Sequence, residues 1–217
     1  MYLLLIRHTE SEKNINNQFS SENDDEKLTF EGKKEAVYLA YQIRQFIESN
    51  KLSCKNIYSA NSARARGTAR IVANELHLNL CFEDALRSTK PGFLSGKSEE
   101  EAQKSNPEYM KQLELFRKGL YNAYDFSVAE GKEPKKEFEK RVSDYIKNIL
   151  SDESENIKII IAHRSSITSI LMEFARKYYN YPTNFSGYVQ LDLGYISLLK
   201  RDKDNNWEIF KVNSKDL

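Results

Sequence analysis

The chain has 217 residues, of which 40% are hydrophobic and 30% are charged, and its formal net charge is +1 at pH 7. A chain of this length can bury one substantial core, so we expect a single domain over residues 1–217. A net charge so close to zero gives no general attraction to nucleic acid or to an anionic membrane, and we expect neither as a partner.

The same sequence argues against secretion and membrane insertion. Its apolar runs are far shorter than the roughly 20 residues that span a bilayer, and the N-terminus lacks the basic region and cleavage site of a signal peptide. The two cysteines, Cys54 and Cys81, form neither a zinc-binding spacing nor a disulfide framework. We therefore predict a cytoplasmic protein with reduced thiols, no metal and no cofactor.

Two apolar runs are typical of buried strands, and each ends at a histidine. Residues 3–6 (Leu-Leu-Leu-Ile) precede residues 7–10 (Arg-His-Thr-Glu), and residues 157–162 precede His163. In open α/β sheets, ligands bind at the carboxyl ends of the strands. We therefore expect His8 and His163 to meet at one edge of a sheet.

The rest of the pattern alternates between helices and strands. A long polar loop through Lys27 carries an acidic cluster, Glu22 to Glu26. Apolar spacing and capping residues then predict helices that begin after Thr29, at 61–62, at Ser98, at Pro107, at Lys136 and at 165–166, and further strands at 56–59, 78–82, 188–192, 194–200 and 207–212. This alternation predicts a three-layer α/β/α sandwich with a mostly parallel sheet and an antiparallel edge.

The stretch between Glu83 and about Pro134 has a looser pattern, with turn signals and two short helices. We interpret residues 88–134 as a helical cap insertion that covers the carboxyl edge of the sheet. Its aromatic residues, together with Lys90, would then select the substrate.

Arginines accompany the two histidines. Arg7 precedes His8, and Arg64 lies in the first turn of a predicted helix, where a basic residue opposes the helix dipole. Arginine donors match phosphate oxygens, and a neutral histidine can attack phosphorus and carry the phosphoryl group. A second, protonated histidine such as His163 would stabilise charge in the transition state. Each residue alone has an ordinary structural explanation, but the set together predicts a phosphate pocket.

Four stretches, in order along the chain, match a known pattern. Residues 7–10 are similar to Arg-His-Gly-Glu, and residues 28–36 to Leu-Thr-x-x-Gly-x-x-Gln-Ala. Residues 58–69 are similar to Tyr-Ser-Ser-Pro-Leu-x-Arg-Ala-x-Gln-Thr-Ala, and residues 160–163 to a strand that delivers a second histidine. The chain therefore resembles the histidine phosphatase superfamily, which has a phosphoglycerate mutase-like fold.

This resemblance implies a role for each matching residue. His8 would be the nucleophile that becomes phosphohistidine, and Arg7, Arg64 and His163 would form the phosphate pocket. Asn14 matches an asparagine of the loop after the signature and would be an accessory phosphate ligand. The implied activity is hydrolysis of a small phosphorylated metabolite without a metal ion; nothing indicates the oligomeric state.

The chain departs from the family at three positions of the implied site. Thr9 replaces a glycine in the signature, and Arg164 replaces the glycine that usually follows the second histidine. Arg164 could contact phosphate or substrate, or it could point to solvent. The largest departure is Ser88, which occupies the position of the family's general-acid glutamate in its Leu-x-Glu-x-x-x-Gly stretch.

The missing acid leaves several hypotheses open. Asp84, Glu83 or a residue of the cap could supply the proton, and a substrate with a good leaving group would need it less. The alternative function is a catalytically weakened member that binds phosphorylated ligands. A phosphoglycerate mutase requires phospho-His8 to survive long enough to rephosphorylate a sugar acid, and it is less favoured because of the missing acid and the divergent signature.

Overall fold

A six-stranded sheet forms the centre of the molecule. The computed structural model describes residues 1–21, 23, 25–126 and 130–217; Glu22 and Asp24 of the acidic cluster and residues 127–129 of the predicted cap lie outside these ranges. The strands run in the order β3-β2-β4-β1-β5-β6. They are β1 (Tyr2–Arg7), β2 (Asn56–Ala60), β3 (Asn79–Glu83), β4 (Ile157–Ala162), β5 (Ile196–Arg201) and β6 (Trp207–Ser214).

Four strands are parallel, and the other two make an antiparallel edge. β1 pairs in parallel with β4, β4 with β2, and β2 with β3, whereas β5 pairs antiparallel with both β1 and β6. The described helices are α1 (Glu12–Ile15), α2 (Phe30–Ser49), α3 (Ala63–Leu76), α4 (Glu99–Ser105), α5 (Pro107–Arg117), α6 (Lys135–Ser151) and α7 (Arg164–Tyr178).

The two faces of the sheet are covered by different helices. Alternate residues of β1 show this: Leu3 and Leu5 belong to a core cluster shared with α6 and α7, whereas Leu4 and Ile6 belong to one shared with α2 and α3. Strands buried on both faces read as continuous apolar runs, as residues 3–6 do. The predicted three-layer α/β/α sandwich with an antiparallel edge is confirmed.

Side chains cap the starts of α2, α3 and α4, as the sequence predicts, whereas α7 begins at Arg164, just before the predicted start, and has no side-chain cap. Thr29 Oγ1 accepts a hydrogen bond from the Gly32 amide at 3.0 Å, and Ser62, rather than Asn61, caps α3. Gly32 has a further role, because a Cβ there would lie 2.0 Å from the carbonyl oxygen of Glu10. The first turn of α2 can therefore pack directly on the backbone that follows β1.

One predicted strand is wrong. Residues 188–192 are irregular, because side chains take the hydrogen bonds that a neighbouring strand would supply. Arg7 Nη1 donates to the Leu191 carbonyl oxygen at 2.6 Å, and the Asp192 amide donates to Asn213 Oδ1 at 2.6 Å. The segment thus runs past the end of β1 instead of extending the sheet.

The segment between β3 and α6 has a small core of its own. Leu94, Ala102, Tyr109 and Met110 are buried together, with Phe126 among the aromatic residues packed against them. This segment corresponds to the predicted cap, although its boundaries at 88 and 134 and the single-domain division of residues 1–217 stay predictions. Over the described ranges, no helix is long and apolar enough to cross a membrane.

Candidate active site

The register of the central strands places the two histidines side by side. Arg7, the last residue of β1, pairs with Ala162, the last residue of β4. The next residues are His8 and His163, and the His8 amide donates to the Ala162 carbonyl oxygen at 3.0 Å. Both side chains are buried, and their ring centroids lie 5.2 Å apart.

The Arg64 guanidinium contacts both rings from the second position of α3. Its Nε lies 3.2 Å from His8 Nε2, and its Nη2 lies 3.4 Å from His163 Nδ1. The side chain is only 1% exposed, and Ser20 Oγ and a Glu26 carboxylate oxygen accept from it at 3.1 and 2.9 Å. The arginine that opposes the helix dipole is therefore the link between the two histidines.

These partners fix opposite tautomers for the two histidines. His8 Nδ1 lies 2.8 Å from the Thr9 carbonyl oxygen, which can only accept, so Nδ1 carries the proton and Nε2 holds a lone pair. Arg64 can only donate, so His163 Nδ1 is an acceptor, and His163 Nε2 donates to Ser62 Oγ at 3.0 Å. His8 Nε2 and His163 Nδ1 are thus the basic atoms, and both face the guanidinium.

The surroundings keep both imidazoles neutral. Burial is the largest cause and lowers the pKa of His8 well below its usual value, and the positive charges of Arg64 and Arg7 lower that pKa further. Burial, followed by Arg64, likewise lowers the pKa of His163. A neutral ring with a free lone pair is the form that acts as a nucleophile.

Three further cations near the histidines form no ion pair with a carboxylate of the described residues. Arg7, Lys13 and Arg164 all line the cavity above the rings. Burial, followed by Arg64 and Arg7, lowers the pKa of Lys13 to about 8, and burial lowers that of Arg7 to about 10. Arg7 Nε is buried and has no hydrogen-bond partner among the described residues. A bound anion would satisfy that donor and offset the mutual repulsion.

Thr9, which replaces the signature glycine, is integrated into the fold. Its amide and its hydroxyl each lie 3.1 Å from Thr68 Oγ1, and the Thr68 hydroxyl donates to the Arg64 carbonyl oxygen at 3.0 Å. The Thr9 methyl group also lies next to Gly194, since a Cβ on that glycine would be 3.4 Å from Thr9 Cγ2. The threonine thus ties the end of β1 to the helix that carries Arg64.

The histidines lie at one end of a cavity of about 620 Å³ that extends under the cap. Polar and cationic groups surround the histidines. The remaining wall is largely aromatic and apolar, and it includes Phe19, Leu94, Tyr109, Leu113, Phe116, Phe126 and Tyr188. Arg164 lies within this wall rather than in solvent, where its Nη1 donates to the Tyr188 hydroxyl at 2.8 Å.

The predicted substitutes for the missing acid do not line the cavity. Asp84 is 73% exposed and accepts from Asn61 at 3.0 Å, and the Glu83 carboxylate hydrogen-bonds Tyr145. Neither is among the described lining residues, whereas Ser88 is. Of the described lining residues, Glu133 is the carboxylate supplied by the cap, and both its oxygens accept from Arg141, at 2.6 and 2.8 Å.

Asn14 is also placed differently from the expectation. Its Oδ1 accepts from the Ser11 amide at 3.1 Å and from the Ser11 hydroxyl at 2.6 Å, so it stabilises the turn after β1 instead of lining the cavity. The neighbouring residue, Lys13, lines it. The sequence reasoning missed Lys13, as well as the contact of Glu26 with Arg64. A lysine beside Asn14 and the acidic cluster were the available signals.

The described part of the chain contains no cluster of three or more histidine, cysteine or carboxylate side chains that could hold a metal ion. The groups that converge are instead nitrogen donors and lone pairs. This arrangement suits an oxyanion with several acceptor oxygens, such as a phosphate group.

Comparisons with known proteins identify the family. The sequence model of the histidine phosphatase superfamily (branch 1) matches residues 3–215. A protein of Hydrogenobacter thermophilus named "Putative phosphoserine phosphatase 2" is 30% identical over 172 residues, which cover 78% of this chain and 76% of that protein.

Solved structures show the same fold. YhfR of Bacillus stearothermophilus has a TM-score of 0.78 at 19% identity, with 98% of this chain and 96% of that chain covered. A phosphoglycerate mutase from Bacillus anthracis has a TM-score of 0.76 at 17% identity, with 99% and 93% covered. The fold is phosphoglycerate mutase-like, and the match over residues 3–215 shows that this chain belongs to the histidine phosphatase superfamily.

Proposed function

We propose that this protein is a phosphomonoesterase that hydrolyses a small phosphorylated metabolite through a phosphohistidine at His8. The observation that carries the proposal is the fixed tautomer of His8. Its Nδ1 proton is held by the Thr9 carbonyl oxygen at 2.8 Å, so the lone pair of Nε2 is directed at the Arg64 guanidinium. A phosphate held by that guanidinium would meet the lone pair.

The proposed reaction has two displacements at phosphorus. In the first, the His8 Nε2 lone pair forms the N–P bond, and the bond from phosphorus to the ester oxygen breaks with its electron pair on the leaving alcohol. In the second, a water oxygen attacks phosphorus and gives up a proton, the N–P bond breaks with its electron pair returning to His8 Nε2, and inorganic phosphate leaves; the proton released from water balances the one that the leaving oxygen takes up in the first displacement. The Nδ1 proton stays on its ring throughout, so the Thr9 carbonyl stabilises the charge of the phosphorylated imidazole.

The surrounding cations would stabilise the transferred group. Arg64 would exchange its contact with Nε2 for phosphate oxygens, and Arg7 would contribute its unsatisfied Nε–H. Lys13 and Arg164 line the same end of the cavity. His163, when protonated on Nδ1, would donate to an equatorial oxygen. Electrostatic stabilisation of this kind supplies most of the rate in phosphoryl transfer.

The substrate would have a good leaving group, or it would carry its own proton donor for the leaving oxygen. Ser88 is a poor acid, and the Glu133 carboxylate is held by two donors of Arg141. A positioned general acid contributes about 10²–10⁴-fold, so its loss slows turnover without abolishing it. The relative named for phosphoserine makes phosphoserine a sensible member of the first substrate panel.

The test is hydrolysis of 4-nitrophenyl phosphate and of a panel of phosphometabolites by the wild type and by His8→Ala. His77→Asn is the matched control, because His77 ends α3 with a φ of 55°, a conformation that asparagine tolerates. We expect hydrolysis to be lost in His8→Ala and kept in His77→Asn. Brief incubation with ³²P-labelled substrate and a denaturing quench should give an acid-labile, base-stable label only when His8 is present.

Other results would select another function. Equal hydrolysis by His8→Ala would refute the proposal. Binding of phosphometabolites without turnover or label would favour a phosphate-ligand-binding member. Ser88 at the position of the family's general acid is the reason to test this alternative. Transfer of the label to 3-phosphoglycerate would favour a mutase.

Metal independence is part of the proposal, and it predicts that hydrolysis is unchanged after treatment with a chelator. The free thiols Cys54 and Cys81 support a cytoplasmic location.

A further inference from the structure

A lysine of the cap lines the same cavity as the histidines, and it forms no ion pair with a carboxylate of the described residues. Lys132 Nζ lies 4.4 Å from the centroid of the Tyr109 ring and 5.0 Å from that of Phe126, and it hydrogen-bonds the Tyr109 hydroxyl. Lys132 thus makes its direct contacts with the cap, whereas Arg64 contacts the two histidines.

Three neighbouring charged residues of the cavity are paired. Lys135 Nζ lies 3.1 Å from Glu139 Oε1, and Arg117 Nη2 lies 2.6 Å from Glu99 Oε1. Glu133, the residue after Lys132, has both oxygens on Arg141. In the described residues no carboxylate forms an ion pair with Lys132.

The environment of this ammonium is unfavourable. Burial, followed by the charge of Lys135, lowers the pKa of Lys132 to about 8. The rings of Tyr109 and Phe126 offset part of that cost, since cation–π contacts contribute about 0.5–2 kcal/mol. An uncharged side chain such as methionine would pack on the same rings without the burial penalty. The positive charge is therefore not needed for packing.

The phosphate does not require this lysine either. Arg7, Lys13 and Arg64 already place positive charge next to the histidines, whereas the direct contacts of Lys132 are with the cap. Aromatic and apolar side chains line much of the rest of the same cavity. A ligand that fills the cavity would thus meet cations at the histidines, an apolar surface, and a further cation in the cap.

We propose that Lys132 binds a second anionic group, a carboxylate or a second phosphate, on the alcohol part of the phosphate ester. This inference rests on the proposed phosphatase function and names its substrate class: a phosphomonoester with an additional acid attached through an apolar or aromatic body. Tyr109 holds the ammonium toward the cavity, and the rings beside it contact the body of the ligand.

The experiment compares aryl phosphates that differ in one charge. The first pair is 4-carboxyphenyl phosphate and 4-carbamoylphenyl phosphate. The second pair is 4-(2-carboxyethyl)phenyl phosphate and its amide, which test a longer spacing. For each pair, the ratio of kcat/KM for the acid to that for the amide is measured in the wild type, Lys132→Gln and Lys132→Met. Comparison between proteins cancels the different reactivities of the probes.

We expect the ratio for at least one pair to fall about 10- to 100-fold in both Lys132 variants, the usual effect of a hydrogen bond to a charged group. Lys111→Gln is the matched control, because it removes one exposed lysine from α5 outside the cavity, and its ratios should equal those of the wild type. Replacing the carboxylate by a phosphonate then distinguishes a preference for a carboxylate from one for a second phosphate.

Failure of this inference and failure of the phosphatase function are separable. Unchanged ratios in both pairs would overturn the role of Lys132 and leave His8-dependent hydrolysis intact. If neither these probes nor 4-nitrophenyl phosphate and the phosphometabolite panel are hydrolysed, the phosphatase proposal fails, and the same acid and amide pairs are compared by calorimetric dissociation constants. The anion site is supported if the wild type binds the acid more tightly than the amide and both Lys132 variants lose this preference. Equal binding of acid and amide by the wild type refutes it.

Discussion

The buried histidine pair makes a quantitative prediction about stability and pH. We consider a change from pH 7.5 to pH 5.5, applied to the wild type, to His8→Asn, to His163→Asn and to the double variant. Both histidines have pKa values well below the usual value in the folded state, chiefly because of burial and then because of Arg64. In the unfolded chain each would titrate near pH 6.5.

The sign of the effect follows from proton linkage. Below pH 6.5 the unfolded chain binds protons that the folded rings do not accept, so the free energy of unfolding falls as the pH falls. For a ring that stays neutral when folded, the change between pH 7.5 and 5.5 amounts to about 1.4 kcal/mol. The pair therefore costs the wild type about 2.7 kcal/mol over this interval.

Urea denaturation at the two pH values measures this loss. The buffer must contain no phosphate, because an anion bound between the histidines would stabilise the folded state. Each single variant should recover about 1.4 kcal/mol of the pH-dependent loss, and the double variant about 2.7 kcal/mol. Taking differences between proteins removes the contributions of other groups. The same pH dependence in the double variant and the wild type would refute the neutral, buried pair.

Three other substitutions test neighbouring features. Glu26→Gln removes an anion that lies 2.9 Å from Arg64 Nη1, so orthovanadate should inhibit about three- to tenfold more tightly; weaker inhibition would contradict competition between Glu26 and the ligand. Ser88→Glu should raise kcat/KM for alkyl phosphates by up to about 10²–10⁴-fold while changing 4-nitrophenyl phosphate little, and a uniform change would argue against a restored acid. Gly194→Ala should cost about 1–2 kcal/mol in urea denaturation, because Gly194 has a φ of +73°; an unchanged midpoint would exclude this strain.

The central strands and their histidines were predictable because the signal is local. Residues 3–6 and 157–162 are apolar at every position but one, as expected for strands covered on both faces. Once these strands are parallel neighbours in the observed register, His8 and His163 must lie side by side. The apolar spacing of each helix likewise predicts which of its faces packs against the sheet.

Residues 188–192 show where such local signals fail. The run alternates like an edge strand, but the competing partners are distant in sequence: Arg7 binds one of its carbonyls and Asn213 one of its amides. Which side chains are available as partners depends on tertiary packing. Asn14 fails for a different reason, because its partner is local. Its side-chain oxygen accepts hydrogen bonds from Ser11, three residues away, while Lys13 lines the cavity.

Charge is the property that the sequence represents least well. The net charge of +1 gave no general reason to expect nucleic acid or an anionic membrane as a partner, yet Arg7, Lys13, Arg64 and Arg164 line one cavity with two neutral histidines. Composition averages over the surface, where acidic residues balance lysines, and it carries no information about which charges the fold brings together.

The contact between Arg64 and Glu26 connects this local charge to ligand binding. An arginine that is 1% exposed cannot remain without a counter-charge at low cost, and the Glu26 carboxylate supplies one at 2.9 Å. A phosphate ester carries up to two negative charges and can replace that carboxylate while also satisfying Arg7 Nε. A neutral ligand would leave both arginines worse paired than before. If the proposed function is right, we therefore expect the site to discriminate between ligands by charge even before they contact the cap.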